Sequence, residues 1–167
     1  MLWGYAGVFP GEFNIWDGDK VMNQLRFMVK NGFRSTQISL AEMREPARRD
    51  QIAQFVAEHD LQLTVGFHHG CFKTDDRDAV KRASETFLEE LRAYGDLLRV
   101  PIVTTGAGGV HRFMAAPSLE EQLDRLADVY APVAQACHEM GRPLGIENHG
   151  DYYCSDLVTL CQRVPHM

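Results

Sequence analysis

The chain has 167 residues and a formal net charge of -6, from 17 basic and 23 acidic side chains. Its length and its hydrophobic content of 45% suffice for one domain, residues 1–167, with a substantial core. The acidic balance and scattered lysines and arginines argue against the basic face of a nucleic-acid-binding protein. No apolar run approaches the ~20 residues of a membrane helix, and Met1–Tyr5 lacks the basic start of a signal peptide. We therefore expect a cytoplasmic protein without a membrane or nucleic-acid partner.

Apolar runs and helical periodicities alternate along the first part of the chain. Asp17 is the predicted N-cap of the first helix, and Pro46 is a favourable first residue for the second. Asn31-Gly32 ends the first helix, since glycine readily adopts the left-handed C-cap conformation. The predicted elements are strand 2–9, helix 19–30, strand 33–40, helix 46–59, strand 61–67 and helix 78–94.

The same alternation continues to the last residues. Ser118 and Glu121 have the spacing of a capping box, which predicts the start of a fourth helix. The remaining predicted elements are strand 101–104, a helix from Ser118 to Met140, strand 144–146 and a helix from Ser155 to Val164. The four cysteines form no metal-binding spacing, so we expect reduced thiols, with Cys154 and Cys161 on the last helix.

The element order is a β-α unit repeated about five times. Alternating strands and helices favour the α/β class, with a parallel sheet and right-handed crossovers. An open five-stranded sheet is one solution and a barrel is the other. A complete (β/α)₈ barrel needs eight units and typically about 250 residues, so this chain supplies about five-eighths of one.

Polar and glycine residues collect at the predicted carboxyl ends of the strands, which share one rim in a parallel sheet. Glu147 directly follows strand 144–146 and is the strongest candidate for chemistry. Its alternative role is a helix cap or an arginine partner. His68 follows strand 61–67 and is predicted to point into the rim, as a metal ligand or a base. Its alternative is a histidine bonded to a backbone carbonyl, and His69 is predicted to face the other way.

Loop residues on the same rim are candidates for binding. Asn148 and His149 follow Glu147 directly and are predicted to bind substrate. Trp16 and Phe72, like Phe13, lie in loops where aromatic rings wall a pocket or cover a barrel end. The run Thr105-Gly106-Ala107-Gly108-Gly109 matches neither a dinucleotide fingerprint nor a Walker loop, and is expected to be a turn or a flexible lid.

One stretch of these residues resembles a known family. The run Gly145-Ile146-Glu147-Asn148-His149-Gly150, with Ser155-Asp156-Leu157 opening a helix, resembles the fifth βα unit of xylose-isomerase-like TIM barrels. That superfamily includes sugar phosphate isomerases and epimerases and apurinic/apyrimidinic endonucleases. Asn31-Gly32-Phe33 after the first helix, and a third strand ending in His68, also resemble their counterparts. The resemblance implies a parallel (β/α) repeat that stops before strand six of a barrel.

The resemblance also implies roles for individual residues. Glu147 matches a ligand of a catalytic divalent metal (Mn, Mg, Co or Zn), and in the epimerases that glutamate is one half of an acid-base pair. His68 matches a histidine that lines the substrate pocket. The other family ligands, an Asp, a His and a Glu, come from strands six to eight and have no match here. We therefore expect the metal to be weakly bound or absent.

The resulting hypothesis is the N-terminal part of a metal-dependent sugar or sugar phosphate isomerase or epimerase, inactive as this chain alone. A non-catalytic sugar-binding or assembly module is the alternative, in which open sheet edges support homo-oligomers. An endonuclease is less favoured, because Thr105-Gly106 stands where that branch has a histidine. A flavodoxin-like open sheet is disfavoured, since no phosphate-binding loop follows the first strand.

Overall fold

The computed structural model describes residues 18–167, in which strands and helices alternate as expected. Predicted strand 2–9, Phe13, Trp16 and Asp17 lie outside the described residues. The elements are α1 Lys20–Lys30, β1 Ser35–Ile38, α2 Pro46–Glu58, β2 Gln62–Phe67, α3 Arg77–Tyr94, β3 Val103–Thr105, α4 Leu119–Glu139, β4 Leu144–Ile146 and α5 Cys154–Arg163. These four strands and five helices confirm the α/β class and are consistent with part of a TIM barrel. No helix within residues 18–167 is both long and apolar enough to cross a membrane.

The chain divides into two compact units. The described part of the first unit is residues 18–65 and 93–101, and the second unit is residues 66–92 and 102–167. A parallel strand pairing is described in each unit. In the first unit Ser35 pairs with Gln62 and Ile38 with Val65. In the second unit Val103 pairs with Leu144 and Thr105 with Ile146.

The first unit is stabilised by an apolar core and by one group of charged side chains. Asp19, not Asp17, caps α1, because its carboxylate accepts a hydrogen bond from the Met22 N–H at 3.0 Å. Arg48 of α2 forms ion pairs with Asp19 and Glu42. The hydrogen bond from Arg48 is the main reason that the pKa of Asp19 is lowered. The fully buried apolar side chains of this unit include Leu25, Met28, Met43, Ile52, Val56, Leu61, Leu63 and Leu98.

The second unit buries its core between strands and the long helix α4. Leu126, Tyr130 and Val133 recur at helical spacing on α4 and are fully buried. Burying a large apolar side chain of this kind contributes about 1.5–3 kcal/mol. The Phe67 ring packs between the Phe87 ring, at a centroid distance of 5.0 Å, and the Tyr130 ring, at 6.5 Å. This core lies directly beneath the carboxyl ends of the strands in the same unit.

Two predicted boundaries were wrong for local reasons. Predicted strand 33–40 is shorter at both ends. The Phe33 N–H donates to Met28 O of α1 at 2.9 Å, and Leu40–Met43 forms a 3₁₀ turn capped by Ser39. Helix α5 begins at Cys154 rather than Ser155, because Asp156 accepts a hydrogen bond from the Tyr153 N–H at 2.9 Å. Cys154 and Cys161 do share α5, and all four cysteines are free thiols.

The predicted capping box of α4 is present and gives the first test. Ser118 accepts from the Glu121 N–H, while Glu121 accepts from the Ser118 N–H at 2.7 Å. Ser118→Ala removes the cap acceptor and is expected to lower the free energy of unfolding by about 1 kcal/mol. Urea unfolding followed by circular dichroism measures the change. Ser118→Thr keeps a hydroxyl and should lose less than half as much, and equal losses would contradict the capping role.

Candidate active site

Glu147 stands at the carboxyl end of the parallel β3–β4 pair. Its N–H donates to Thr105 O at 2.8 Å, so the backbone ladder continues up to this residue. Its side chain is 44% exposed and therefore open to a ligand. A carboxylate immediately after a parallel strand is where α/β enzymes place reacting groups. The alternative roles as a helix cap or an arginine partner are not observed among the described residues.

His149 is brought next to Glu147. Its Nε2 lies 3.2 Å from Glu147 Oε2, and its side chain is 77% exposed. The two groups can share a proton or hold one substrate oxygen between them. Both belong to the six predicted site residues.

Asn148, between them, is used mainly to build the turn. Its Oδ1 accepts from the Gly150 N–H at 3.1 Å and the Tyr152 N–H at 3.4 Å, and its Nδ2 donates to Tyr152 O at 3.0 Å. Gly150 has a φ of +83°, a conformation that disfavours any side chain. Asn148 thus orients the backbone that carries Glu147 and His149, and its predicted contact with substrate remains a prediction.

His68 and His69 face opposite ways, as successive residues of a strand extension do. His68 is exposed, whereas His69 is 3% exposed. His69 Nδ1 accepts from the Cys71 N–H at 3.2 Å, so the proton of the neutral ring is on Nε2. That Nε2 lies 3.0 Å from Gly106 O, and the Tyr130 hydroxyl donates to the same carbonyl at 2.6 Å. His69 therefore has a structural role, whereas the exposed side chain of His68 is accessible to a ligand.

Burial shifts the pKa values of this buried group of polar residues. Desolvation is the main reason that the pKa of His69 is lowered, and it raises the pKa of Tyr130. It also raises the pKa of the Cys71 thiol to about 11. At neutral pH these groups are uncharged, so they serve as fixed hydrogen-bonding groups beneath the rim.

The glycine-rich run after β3 contains a turn at Gly108-Gly109 that packs against His69. A Cβ on Gly108, where φ is +74°, would clash with His69 Cε1 and lie 2.9 Å from His69 Nε2. The adjacent Gly109 has a φ of +89° and open space around it. Gly108 is therefore required for close approach as well as for backbone conformation, which the sequence pattern alone did not reveal.

A second set of hydrogen bonds fastens the loops after β3 and β4 to α4. The buried Gln122 amide donates to His111 O at 3.2 Å and to Pro117 O at 2.8 Å. Its oxygen accepts from the Tyr152 hydroxyl at 2.6 Å. The Arg112 N–H also donates to Asp151 O at 2.9 Å, which joins the two loops directly. These bonds hold the loop that carries Glu147 in a defined position against α4.

Two exposed aromatic rings on these loops were missed by sequence reasoning. Phe113 and Tyr153 are 65% and 55% exposed, and their ring centroids lie 5.9 Å apart in an edge-to-face arrangement. The Arg112 guanidinium lies over the Tyr153 ring at 3.8 Å and pairs with Asp156. The available signal was their position in loops after strand ends. Of the predicted aromatic residues, Phe72 is half-buried against His69, at a centroid distance of 6.3 Å.

The structure supplies only part of a metal site. Among residues 18–167 no group of three or more His, Cys, Asp or Glu side chains is placed to hold a metal ion. Glu147 and His149 are close enough to act as two donors. Catalytic zinc sites typically use three protein ligands, so the described residues do not fit a complete catalytic site.

The four parallel strands and five helices of residues 18–167 form a parallel α/β fold that is consistent with part of a TIM barrel. The chain belongs to the xylose isomerase-like TIM barrel family, whose model matches residues 25–167. No curated protein sequence matches the chain significantly.

Solved structures share the fold at low sequence identity. The 3-keto-D-glucoside 4-epimerase YcjR from E. coli gives a TM-score of 0.67 at 14% identity, over 99% of this chain and 65% of that chain. A D-psicose 3-epimerase in the presence of D-fructose gives 0.65 at 16% identity, over 89% and 55%. An IolI protein with a bound zinc atom gives 0.64 at 13%, over 98% and 58%. The chain thus spans between 55% and 65% of the length of these three structures.

Acidification is expected to destabilise the chain through His69. Because its pKa is lowered by burial from the ordinary 6.5, the unfolded chain takes up a proton first. The stabilisation that neutral His69 gives to the folded state is therefore complete above about pH 6.5, and it is lost as the pH falls below that value. Urea unfolding between pH 8 and pH 5.5 measures this. His69→Gln should be less stable than the native protein at pH 8 and should lose less stability on acidification. Identical pH profiles for native protein and His69→Gln would contradict the argument.

Gly108→Ala tests the close approach to His69. Alanine in a left-handed conformation costs about 1–2 kcal/mol at Gly108 and at Gly109 alike. Only at Gly108 does the methyl group also meet the imidazole, which should add about 1–3 kcal/mol of overpacking. Thermal unfolding of both variants measures the difference, with Gly109→Ala as the matched control. Equal melting temperatures would show that the ring does not constrain this turn.

Proposed function

We propose that this chain forms part of the catalytic rim of a sugar isomerase or epimerase, which moves a proton on the carbon next to a carbonyl group. Glu147 carries the proposal, as a partly exposed carboxylate directly after a parallel strand of a xylose isomerase-like barrel. Two of the structural neighbours are by name epimerases of carbonyl sugars. A carbonyl acidifies the neighbouring C–H, and a positioned carboxylate is a suitable base for that proton.

Each site residue has a distinct part in this reaction. In an isomerisation Glu147 takes the proton from one substrate carbon and delivers it to the adjacent carbonyl carbon. In an epimerisation Glu147 takes the proton and a second acid, outside the proposed site residues, delivers a proton to the opposite face of that carbon. His149, 3.2 Å away, orients the carboxylate. His68 donates to a substrate oxygen from the end of β2. The defined loop positions support this, because proton transfer requires the base to be held within hydrogen-bond reach of its target.

Aromatic residues form the wall of the proposed substrate site. Phe113 and Tyr153 offer apolar ring surface to the C–H face of a sugar, and Arg112 fixes the Tyr153 ring from behind. The other proposed substrate contacts are Trp16, Phe72 and Asn148. Phe72 also packs against His69 and so lies deeper in the unit.

A divalent metal is part of the proposal, with Glu147 as one ligand. Such an ion would polarise the substrate carbonyl and stabilise negative charge on its oxygen. The zinc in the IolI structure supports metal binding in a similar fold. Since the described residues supply two donors rather than three, no step of the reaction is assigned to the metal. The chain also spans 65% or less of each neighbour's length, so we propose that these 167 residues alone have little turnover.

Binding of ketose sugars tests the substrate site. Saturation-transfer NMR with D-fructose and D-psicose is expected to show transfer to the sugar C–H protons. Phe113→Ala should weaken binding by about 2- to 10-fold, the value of one aromatic contact. Glu147→Gln keeps the shape but removes the charge and should also weaken binding. Glu89→Gln, an exposed carboxylate on α3, is the matched control and should bind like the native chain.

Two results would contradict the proposal. Absence of saturation transfer at high sugar concentration, or equal effects of Glu147→Gln and Glu89→Gln, would exclude the proposed substrate site. Deuterium incorporation next to the carbonyl, followed by NMR in D₂O, addresses turnover separately. Incorporation at the rate of a complete barrel enzyme would overturn the expectation of low activity, without affecting the location of the site.

A further inference from the structure

A cavity lies between helices α3 and α4 in the second unit. Its volume is about 620 Å³, within the usual range for small-molecule sites. The cavity is lined by residues spaced three and four apart on α3 and α4, together with Cys71, Thr74 and Asp75 from the loop after β2. None of the lining residues is a proposed contact of the sugar site, so this is a separate site.

The walls of the cavity are apolar along much of its length. Val80 and Leu88 of α3 are half-buried and line one side. Val129 and Val133 of α4 line the other. Half-buried aliphatic side chains that face a cavity of this size bury more apolar surface when a ligand enters, and this favours an aliphatic chain.

The charges on the cavity rim are ordered along the helices. Its three basic residues, Arg77, Lys81 and Arg125, lie towards the amino-terminal ends of α3 and α4. Lys81 is 3.8 Å from Glu85, and Arg125 is 3.7 Å from Asp75. Arg77 has no ion pair within residues 18–167, so its guanidinium is available to a ligand. The Lys81–Glu85 and Arg125–Asp75 ion pairs are exposed and therefore weak, so a ligand can displace them.

The acidic rim residues limit what the occupant can be. Glu85 and Asp128 lie one to two turns further along their helices than Arg77 and Arg125. They repel an anion from the middle of the cavity, which leaves the Arg77 end for a negative head group. Together with Asp75 they also disfavour an anionic membrane surface, which binds lysine- and arginine-rich patches.

We propose that this cavity binds a free aliphatic carboxylate. Its head group pairs with Arg77, whose planar guanidinium matches the two oxygens of a carboxylate. Its chain lies between Val80 and Leu88 on one side and Val129 and Val133 on the other. The proposal does not depend on the sugar isomerase or epimerase function.

Calorimetry with sodium decanoate below its micellar concentration tests the proposal on the full chain. One saturable site is expected, and acetate and 1-decanol, which lack the tail and the charge respectively, should each bind at least about tenfold more weakly. Arg77→Gln should weaken decanoate binding about tenfold. Arg82→Gln is the matched control, because Arg82 is exposed on the same helix but does not line the cavity.

A filling variant keeps the test independent of charge. Val129→Trp should occupy the cavity and abolish decanoate binding while the far-UV circular dichroism is unchanged. Equal losses for Arg77→Gln and Arg82→Gln, undiminished binding by folded Val129→Trp, or the absence of saturable binding would each overturn the proposal. So would stronger association with anionic phosphatidylglycerol vesicles than with monomeric decanoate, since this would indicate a membrane surface.

Discussion

The carbonyl group of Gly106 is the point on which the second unit's rim depends. It receives hydrogen bonds from the Tyr130 hydroxyl of α4 and from His69 after β2. A buried carbonyl of this kind costs about 1–3 kcal/mol if it is left without a partner. Two donors from two different elements therefore fix the exit of β3. Thr105, the residue before it, pairs with Ile146 at the end of β4 and accepts a hydrogen bond from the Glu147 N–H, so the position of the candidate base follows from the same hydrogen bonds.

The polar residues of the rim fall into two groups. Some form the hydrogen bonds that hold the loops, and the others remain exposed to a ligand. His69, Gln122 and Tyr152 have their hydrogen-bonding groups turned inward, and Asn148 closes a turn. Glu147, His149 and His68 remain exposed, as do Phe113 and Tyr153 on the joined loops. Preorganisation of this kind reduces the conformational cost of binding, because the loops need not be ordered by the ligand.

Much of the fold could be predicted because local rules and tertiary structure agree. The capping box at Ser118, the short strand before Glu147 and Pro46 at the start of α2 each follow from residue type and spacing. Other features depend on contacts between residues that are distant in the sequence. The close approach of Gly108 to the His69 ring joins residues 39 positions apart, and the ion pair of Arg112 with Asp156 joins residues 44 positions apart. Sequence periodicity does not report contacts between residues so far apart, so the close approach of Gly108 to His69 and the pairing of Arg112 with Asp156 were not predictable.

The contact between Gly108 and the His69 ring also constrains how this chain can change. The imidazole in its present place opposes a side chain at position 108, in addition to the strain that the positive φ imposes there. Two residues in contact are energetically coupled, so the effect of one substitution depends on the other. Replacement of His69 by a smaller residue would have to come first, and would itself remove a donor to the Gly106 carbonyl. The residue tolerated at each of positions 69 and 108 therefore depends on the residue at the other.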